Sequence, residues 1–151
     1  MCNIEKFAER FSERLEELIR DKGMDNKTFA REVGVPESCI SYFINSLRMP
    51  TITTLVKISD YFNCSADYVL GITENTNNSS FKVCPPFSKQ LLYLIEFYKY
   101  PSPKSFRKDL NLSKSRFNEW LKGTRVPSLD NIIKISEGLE CSVDFVLGRE
   151  N

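Results

Sequence analysis

Seven cationic side chains crowd one short stretch of the chain: Lys104, Arg107, Lys108, Lys114, Arg116, Lys122 and Arg125. Asp109 and Glu119 are the acids that oppose them, so residues 104–125 carry a net +5 in a chain whose total is +1. Ser113, Ser115 and Asn118 lie among the cations. Lysine and arginine at this density, interleaved with short hydrogen-bonding side chains, suit the pairing of an anionic surface, phosphate above all. The competing reading is an ordinary solvated helix face. Bond-breaking chemistry has little to work with. The 151 residues include no histidine, which removes His-dependent triads, His–Cys dyads and His-ligated zinc. Cys2, Cys39, Cys64, Cys84 and Cys141 show no C-x-x-C spacing and are odd in number, which fits a reduced cytoplasm better than a disulfide framework. No glycine-rich phosphate loop, paired-carboxylate motif or metal-ligand motif is present. The expectation is a protein that is not an enzyme, with no cofactor, no metal and no small-molecule ligand.

The elements that must hold these residues are written twice. Residues 29–71 laid on 106–148, an offset of 77, align without a gap, and 13 of the 43 pairs are identical. Upstream the offset becomes 76, where Phe11, Leu15, Leu18 and Ile19 match Phe87, Leu91, Leu94 and Ile95. One residue is therefore inserted between the first and second helices of the second copy. In the first copy, Phe7, Phe11, Leu15, Leu18 and Ile19 recur at helical spacing and Gly23 closes the segment. Asp25 or Asn26 caps a second helix over Lys27–Val33, and Gly34 makes the turn. Pro36 opens a third helix to about Asn45, Thr51 caps a fourth through Phe62, and Ser65 a short fifth ending at Gly71. The second copy repeats this order, with Ser102-Pro103, Asn111 at the turn, Ser113 to Gly123, Ser128 and Ser142 as its signals. Nothing reads as a strand. The expected fold is all-α: a first domain over 1–71, a polar linker over 72–86 and a second domain over 87–151.

As a free coil the linker would span about 21 Å root-mean-square, and about 50 Å fully extended. There is no apolar run near the roughly 18 residues of a membrane helix, and the start of the chain does not read as a secretory signal. Charge is uneven: residues 1–72 carry 9 basic and 11 acidic groups, and residues 87–151 carry 11 and 8. The near-neutral total is the sum of an acidic half and a basic half, and does not exclude an anionic partner.

The run from Asp25 to Ser46, closing at Pro50, resembles the Cro/CI-type (XRE) helix-turn-helix family of phage and bacterial repressors. Thr28-Phe29-Ala30, Gly34-Val35 and Ile40-Ser41 sit where that family has its small residue, its turn and its third helix. Ile52–Gly71 and Leu129–Gly148 resemble its trailing helices. The resemblance implies two tandem five-helix, lambda-repressor-like domains. It implies double-stranded DNA as partner, transcription regulation by repression as function, and the cytoplasm as location. In the first copy it implies DNA contacts from Asn26 and its neighbour Lys27, from Pro36, Glu37, Ser38, Ser41 and Tyr42 on the third helix, and from Asn45 and Arg48 beyond it. In the second copy the matching positions are Lys104, Ser113, Lys114, Ser115, Asn118, Glu119, Lys122 and Arg125.

The second copy departs from the family at Arg107, where a small alanine is usual, and at Pro103, where a phosphate-gripping glutamine is usual. The first departure implies a wider crossing of its second and third helices. Glu37 is either a base reader that accepts from cytosine N4 or a helix-start acid favoured by the dipole. These departures keep a rival open, an antitoxin-like adaptor whose copies no longer bind DNA. Cys64, Cys141, Phe43 and Trp120 read as core, and Glu13, Glu16, Glu17 and Asp21 as a solvated face. Leu92, Tyr93 and Phe97 replace three of those acids, and Tyr93, Phe97 and Tyr100 share a spacing of i, i+4, i+7. They read as an interface, with a homodimer partner or between the copies, unless Phe81, Val83 and Pro85 fold over them. No membrane partner is expected.

Overall fold

A computed structural model of the chain describes residues 4–76 and 80–150. All its regular structure is helical among these residues, and the chain divides into two compact units, Met1–Ser79 and Ser80–Asn151. None of the described helices is long and apolar enough to cross a membrane.

The first unit comprises α1 (Ile4–Asp21), α2 (Asn26–Val33), α3 (Glu37–Ile44), α4 (Ile52–Phe62) and α5 (Ala66–Val69). Of the apolar residues expected on the first helix, Phe11, Leu15 and Ile19 are buried and Phe7 and Leu18 half-buried; Phe29, Ala30, Ile40, Phe43, Leu55 and Ile58 complete the core. α3 packs against α1 and α2. Phe11 meets Phe43 edge-on at 5.4 Å between ring centres, and the buried Ser12 hydroxyl donates to the Ile44 carbonyl at the end of α3. Local signals set the ends. The Asp25 carboxylate accepts from Thr28 N (2.8 Å), which makes Asp25 the cap and places Asn26 inside α2. Pro36 stands one residue before α3 rather than in its first turn. Thr51 and Ser65 cap α4 and α5.

The second unit comprises α6 (Phe87–Phe97), α7 (Pro103–Asp109), α8 (Lys114–Lys122), α9 (Leu129–Leu139) and α10 (Val143–Leu147). α6 packs on α8 and α10, and α9 on α10. Ser102 and Ser105 form a reciprocal capping box around Pro103. Ser128 occupies the cap of α9, but its hydroxyl bonds Asp130 instead of the helix backbone. α7 and α8 do not pack as closely as α2 and α3 do. α7 ends one residue earlier than its counterpart, and Arg107, in place of Ala30, sends its guanidinium to the Leu112 carbonyl (3.4 Å) across the turn. Leu110 occupies the space at Gly138, where an added methyl would lie 2.4 Å from it. In the first unit that position holds Tyr61, edge-on to Phe29.

The described backbone enters positive φ at five places in each unit. They are Gly23, Gly34, Ser46, Asn63 and Gly71 in the first, and Lys99, Asn111, Gly123, Glu140 and Gly148 in the second. The first pair is separated by 76 positions and the other four by 77. One buried side-chain bond also recurs in kind. Arg14 donates to the Tyr68 carbonyl, and Gln90, 76 positions on, donates to the Phe145 carbonyl (2.9 Å).

The segment expected as a free linker over 72–86 is held at both ends. Ile72 N bonds Asp67 O (2.9 Å) and Ser65 N bonds Thr76 O (2.9 Å). The buried Arg14 reaches the Thr73 carbonyl (3.3 Å) and the Glu74 carboxylate (3.0 Å) with its guanidinium 3.8 Å from the Tyr68 ring centre. Residues from Ser80 onward belong to the second unit. Lys82 N bonds Arg149 O (2.7 Å), and Phe81 covers the Arg149 guanidinium at 4.2 Å while that group pairs with buried Asp144. Backbone hydrogen-bonding groups near Arg14 and Arg149 capture the chain before it can behave as a coil of 15 residues. The part of the expected linker at 77–79 lies outside the described residues.

Candidate nucleic-acid interface

The two third helices turn Ile40 and Phe43, and Phe117 and Trp120, inward and their polar residues outward. On α3, Ile40 and Phe43 are buried, whereas Pro36, Glu37, Ser38, Ser41, Tyr42, Asn45 and Arg48 are exposed. On α8, Phe117 and Trp120 are buried, and Ser113, Lys114, Ser115, Asn118, Lys122 and Arg125 are exposed, with Glu119 half-buried. Helical geometry produces this separation: residues three and four apart share a face, so one apolar pair commits the opposite face to solvent. Phe43 and Trp120 therefore serve the core and offer no stacking platform.

Pairs of the outward residues touch one another. Asn45 Nδ2 donates to Ser41 O (2.9 Å), which folds the amide back along α3. Beyond that helix, the Arg48 guanidinium lies 4.4 Å from the Tyr42 ring centre. At the matching positions of the second unit, Arg125 pairs with Glu119 at 3.0 Å. In both units an arginine after the third helix turns back to its middle, once by cation–π attraction and once by charge. Both pairs are accessible to solvent, so each arginine is held weakly and can exchange its partner for a phosphate.

Lys104, on the first turn of α7, and Lys114, at the start of α8, line a surface hollow with Ser102, Arg107, Phe117 and Asn118. It opens where α7 and α8 stand apart. The N-terminus of α2 differs. Asp25 fills it with a carboxylate, held below its ordinary value of 3.8 by the hydrogen bonds from Thr28. Asn26 and Lys27 are exposed just inside this acid. Sequence reasoning allowed the acid as one of two caps but did not follow its consequence, which is competition with any phosphate approaching that helix end. Glu37 is exposed in the first turn of α3, a position consistent with either of its two readings.

Of the expected interface residues, Leu92, Tyr93 and Phe97 are on the open face of α6, exposed by 52, 47 and 52%. Tyr100 does not join them, which corrects the predicted stripe. α6 ends at Phe97, Lys99 takes a positive φ, and Tyr100 turns back. Its ring meets Phe106 at 5.1 Å and its hydroxyl donates to the Asp109 carboxylate, a bond that pushes the phenol up to about 12. The proposed cover is also corrected. Val83 is 94% exposed, Pro85 lies beside Gly148, and Phe81 is on Arg149. Glu13, Glu16, Glu17 and Asp21 are exposed and Cys64 is buried, as expected; Cys141 is half-buried against the Tyr98 hydroxyl.

A protein-family model described as "Helix-turn-helix" matches residues 15–69, within the first unit. A curated relative from Rickettsia prowazekii (strain Madrid E), described as an uncharacterized HTH-type transcriptional regulator, is 33% identical over 67 residues. The match covers 42% of this chain and 73% of the relative. The chain belongs to the XRE-type helix-turn-helix family. No solved structure matches it.

Proposed function

We propose that the protein is a sequence-specific, double-stranded-DNA-binding transcriptional regulator, a repressor of phage or bacterial type, that presents α3 and α8 to the major groove. The observation that carries this reading is the outward polar face of α3, on an element matched by the helix-turn-helix family model. The major groove is wide enough to admit such a helix, and Ser38, Ser41 and Tyr42 stand where base edges would be met. The Rickettsia relative is named as a transcriptional regulator, which supports the same role here.

The second unit is, in this reading, a duplicate of the first and a second DNA-binding domain. The ten positive-φ positions, paired in the same order at separations of 76 and then 77 residues, support the duplication. The +5 on residues 104–125 supports DNA contact by α8. Lys114 and Lys122 would meet phosphate and supply more of the affinity than the first unit does. The adaptor alternative rests on specific features, namely Asp25 and Glu37 beside the first reading surface and the separated α7 and α8 of the second.

Binding to a duplex from the gene's own upstream region, measured at two salt concentrations, separates the two readings. The regulator binds with an affinity that falls steeply with salt, and Ser41→Ala with Tyr42→Ala reduces discrimination against unrelated duplex. Absence of binding at low salt supports the adaptor instead.

A further inference from the structure

Lys89, Leu92, Tyr93, Glu96 and Phe97 are spaced at i, i+3, i+4, i+7 and i+8, which places them on one stripe of α6. All five are exposed. The aromatic part is preorganised. The Tyr93 and Phe97 rings stack at 5.7 Å, and both meet buried Phe145 of α10 edge-on, at 6.3 and 5.1 Å. Side chains held in this way lose little rotamer freedom on docking. Two full turns, about 10 Å along the axis, separate Lys89 from Glu96, too far for them to pair with each other. Neither is in an ion pair among the described residues.

We propose that this stripe is a two-fold interface with a second copy of the chain, in which two α6 helices pack antiparallel. The midpoint between positions 89 and 96 falls between Leu92 and Tyr93. Reversing the helix about that point sets Lys89 against Glu96 of the partner subunit, twice, and Leu92 against Tyr93 of the partner subunit, twice. A parallel arrangement would oppose like charges at both ends. The stripe is thus complementary to itself in one orientation, as an isologous interface requires. Its three-and-four spacing suits the shallow crossing of about 20° common to antiparallel helix pairs. One helix pair lies at the small end of specific interfaces, about 1,200 Å² or less in total, so the association is reversible. It does not depend on the DNA reading, because none of the proposed DNA-contact residues is in the stripe.

Sedimentation equilibrium of the full chain tests this. The weight-average mass rises from 17.5 kDa toward twice that value with concentration. Lys89→Glu and Glu96→Lys, each alone, weaken association about tenfold or more by opposing like charges twice. The double variant, which exchanges the two charges, returns it to near the original strength. Phe97→Ser abolishes it. All three positions substituted are exposed, and far-UV circular dichroism checks that each variant keeps its helices. A constant mass of 17.5 kDa at every concentration overturns the proposal, as does a double variant no stronger than the single ones.

Discussion

Arg14 and Gln90 make the same buried bond with different side chains, one to the Tyr68 carbonyl and the other to the Phe145 carbonyl. Arg14→Gln should therefore preserve that bond and lose the ties to Thr73 and Glu74 and the cation–π contact with the Tyr68 ring. The expected cost is roughly 1 kcal/mol, against about 2–3 kcal/mol for Arg14→Ala, which also removes the charge-assisted bond to the Tyr68 carbonyl and the packing of a buried side chain. Chemical denaturation of the three proteins checks the order, and equal losses would mean that the Tyr68 bond contributes nothing. Asp25 carries a pH prediction. Its folded value is lowered from 3.8, so its contribution is complete above that value and is lost as the pH falls through the lowered one. Asp25→Asn keeps a capping side chain without that ionisation, so the stability of the variant should fall less steeply in acid; parallel acid curves would contradict the capping role. Composition and spacing exposed the outward residues of α3 and α8 but not Arg14. A lone arginine on a helix full of charges has no signal that it will be buried, because its partners, Tyr68, Thr73 and Glu74, are more than fifty residues away.

Helix ends were the most legible feature at the scale of elements. Caps and turn residues act within four positions, so Thr51, Ser65, Ser102, Ser113, Gly123 and Asn111 could be placed from the sequence alone. The end of α6 was not legible. Tyr98 and Tyr100 continue the apolar pattern, and Lys99 between them, at positive φ, breaks the helix without a glycine. The fate of 72–86 was hidden for a similar reason: a polar, unperiodic segment reads as a coil, while its capture depends on distant Arg14 and Arg149. Gly71 and Gly148 test how far the two units obey the same rules. Both have positive φ, and an added methyl would lie 2.9 Å from Arg10 Cβ in one case and 2.6 Å from Pro85 Cδ in the other. Replacement by alanine should cost each unit about 2 kcal/mol or more. Thermal unfolding of the single variants checks this, and an unchanged midpoint for either would show that its turn relaxes without strain.

For the whole molecule, the near-zero net charge is the sum of an acidic first half and a basic second half. If α8 meets phosphate, neutralising Lys114 and Lys122 together should lower the slope of log affinity against log salt by about 1.8. Base discrimination by α3 should survive that change, because phosphate contacts position a protein while base contacts specify the site. The all-helical fold class was readable from the sequence because burial patterns and turn residues are local. The partner was readable only as chemistry, an array of cations and amides on outward helix faces. The most direct test of the central claim is selection of bound duplexes from a random pool by the full-length protein. The account predicts enrichment of a defined motif, with part of it lost on Ser41→Ala with Tyr42→Ala in α3. A pool that stays random, at a salt concentration low enough to retain DNA on the protein, would contradict it.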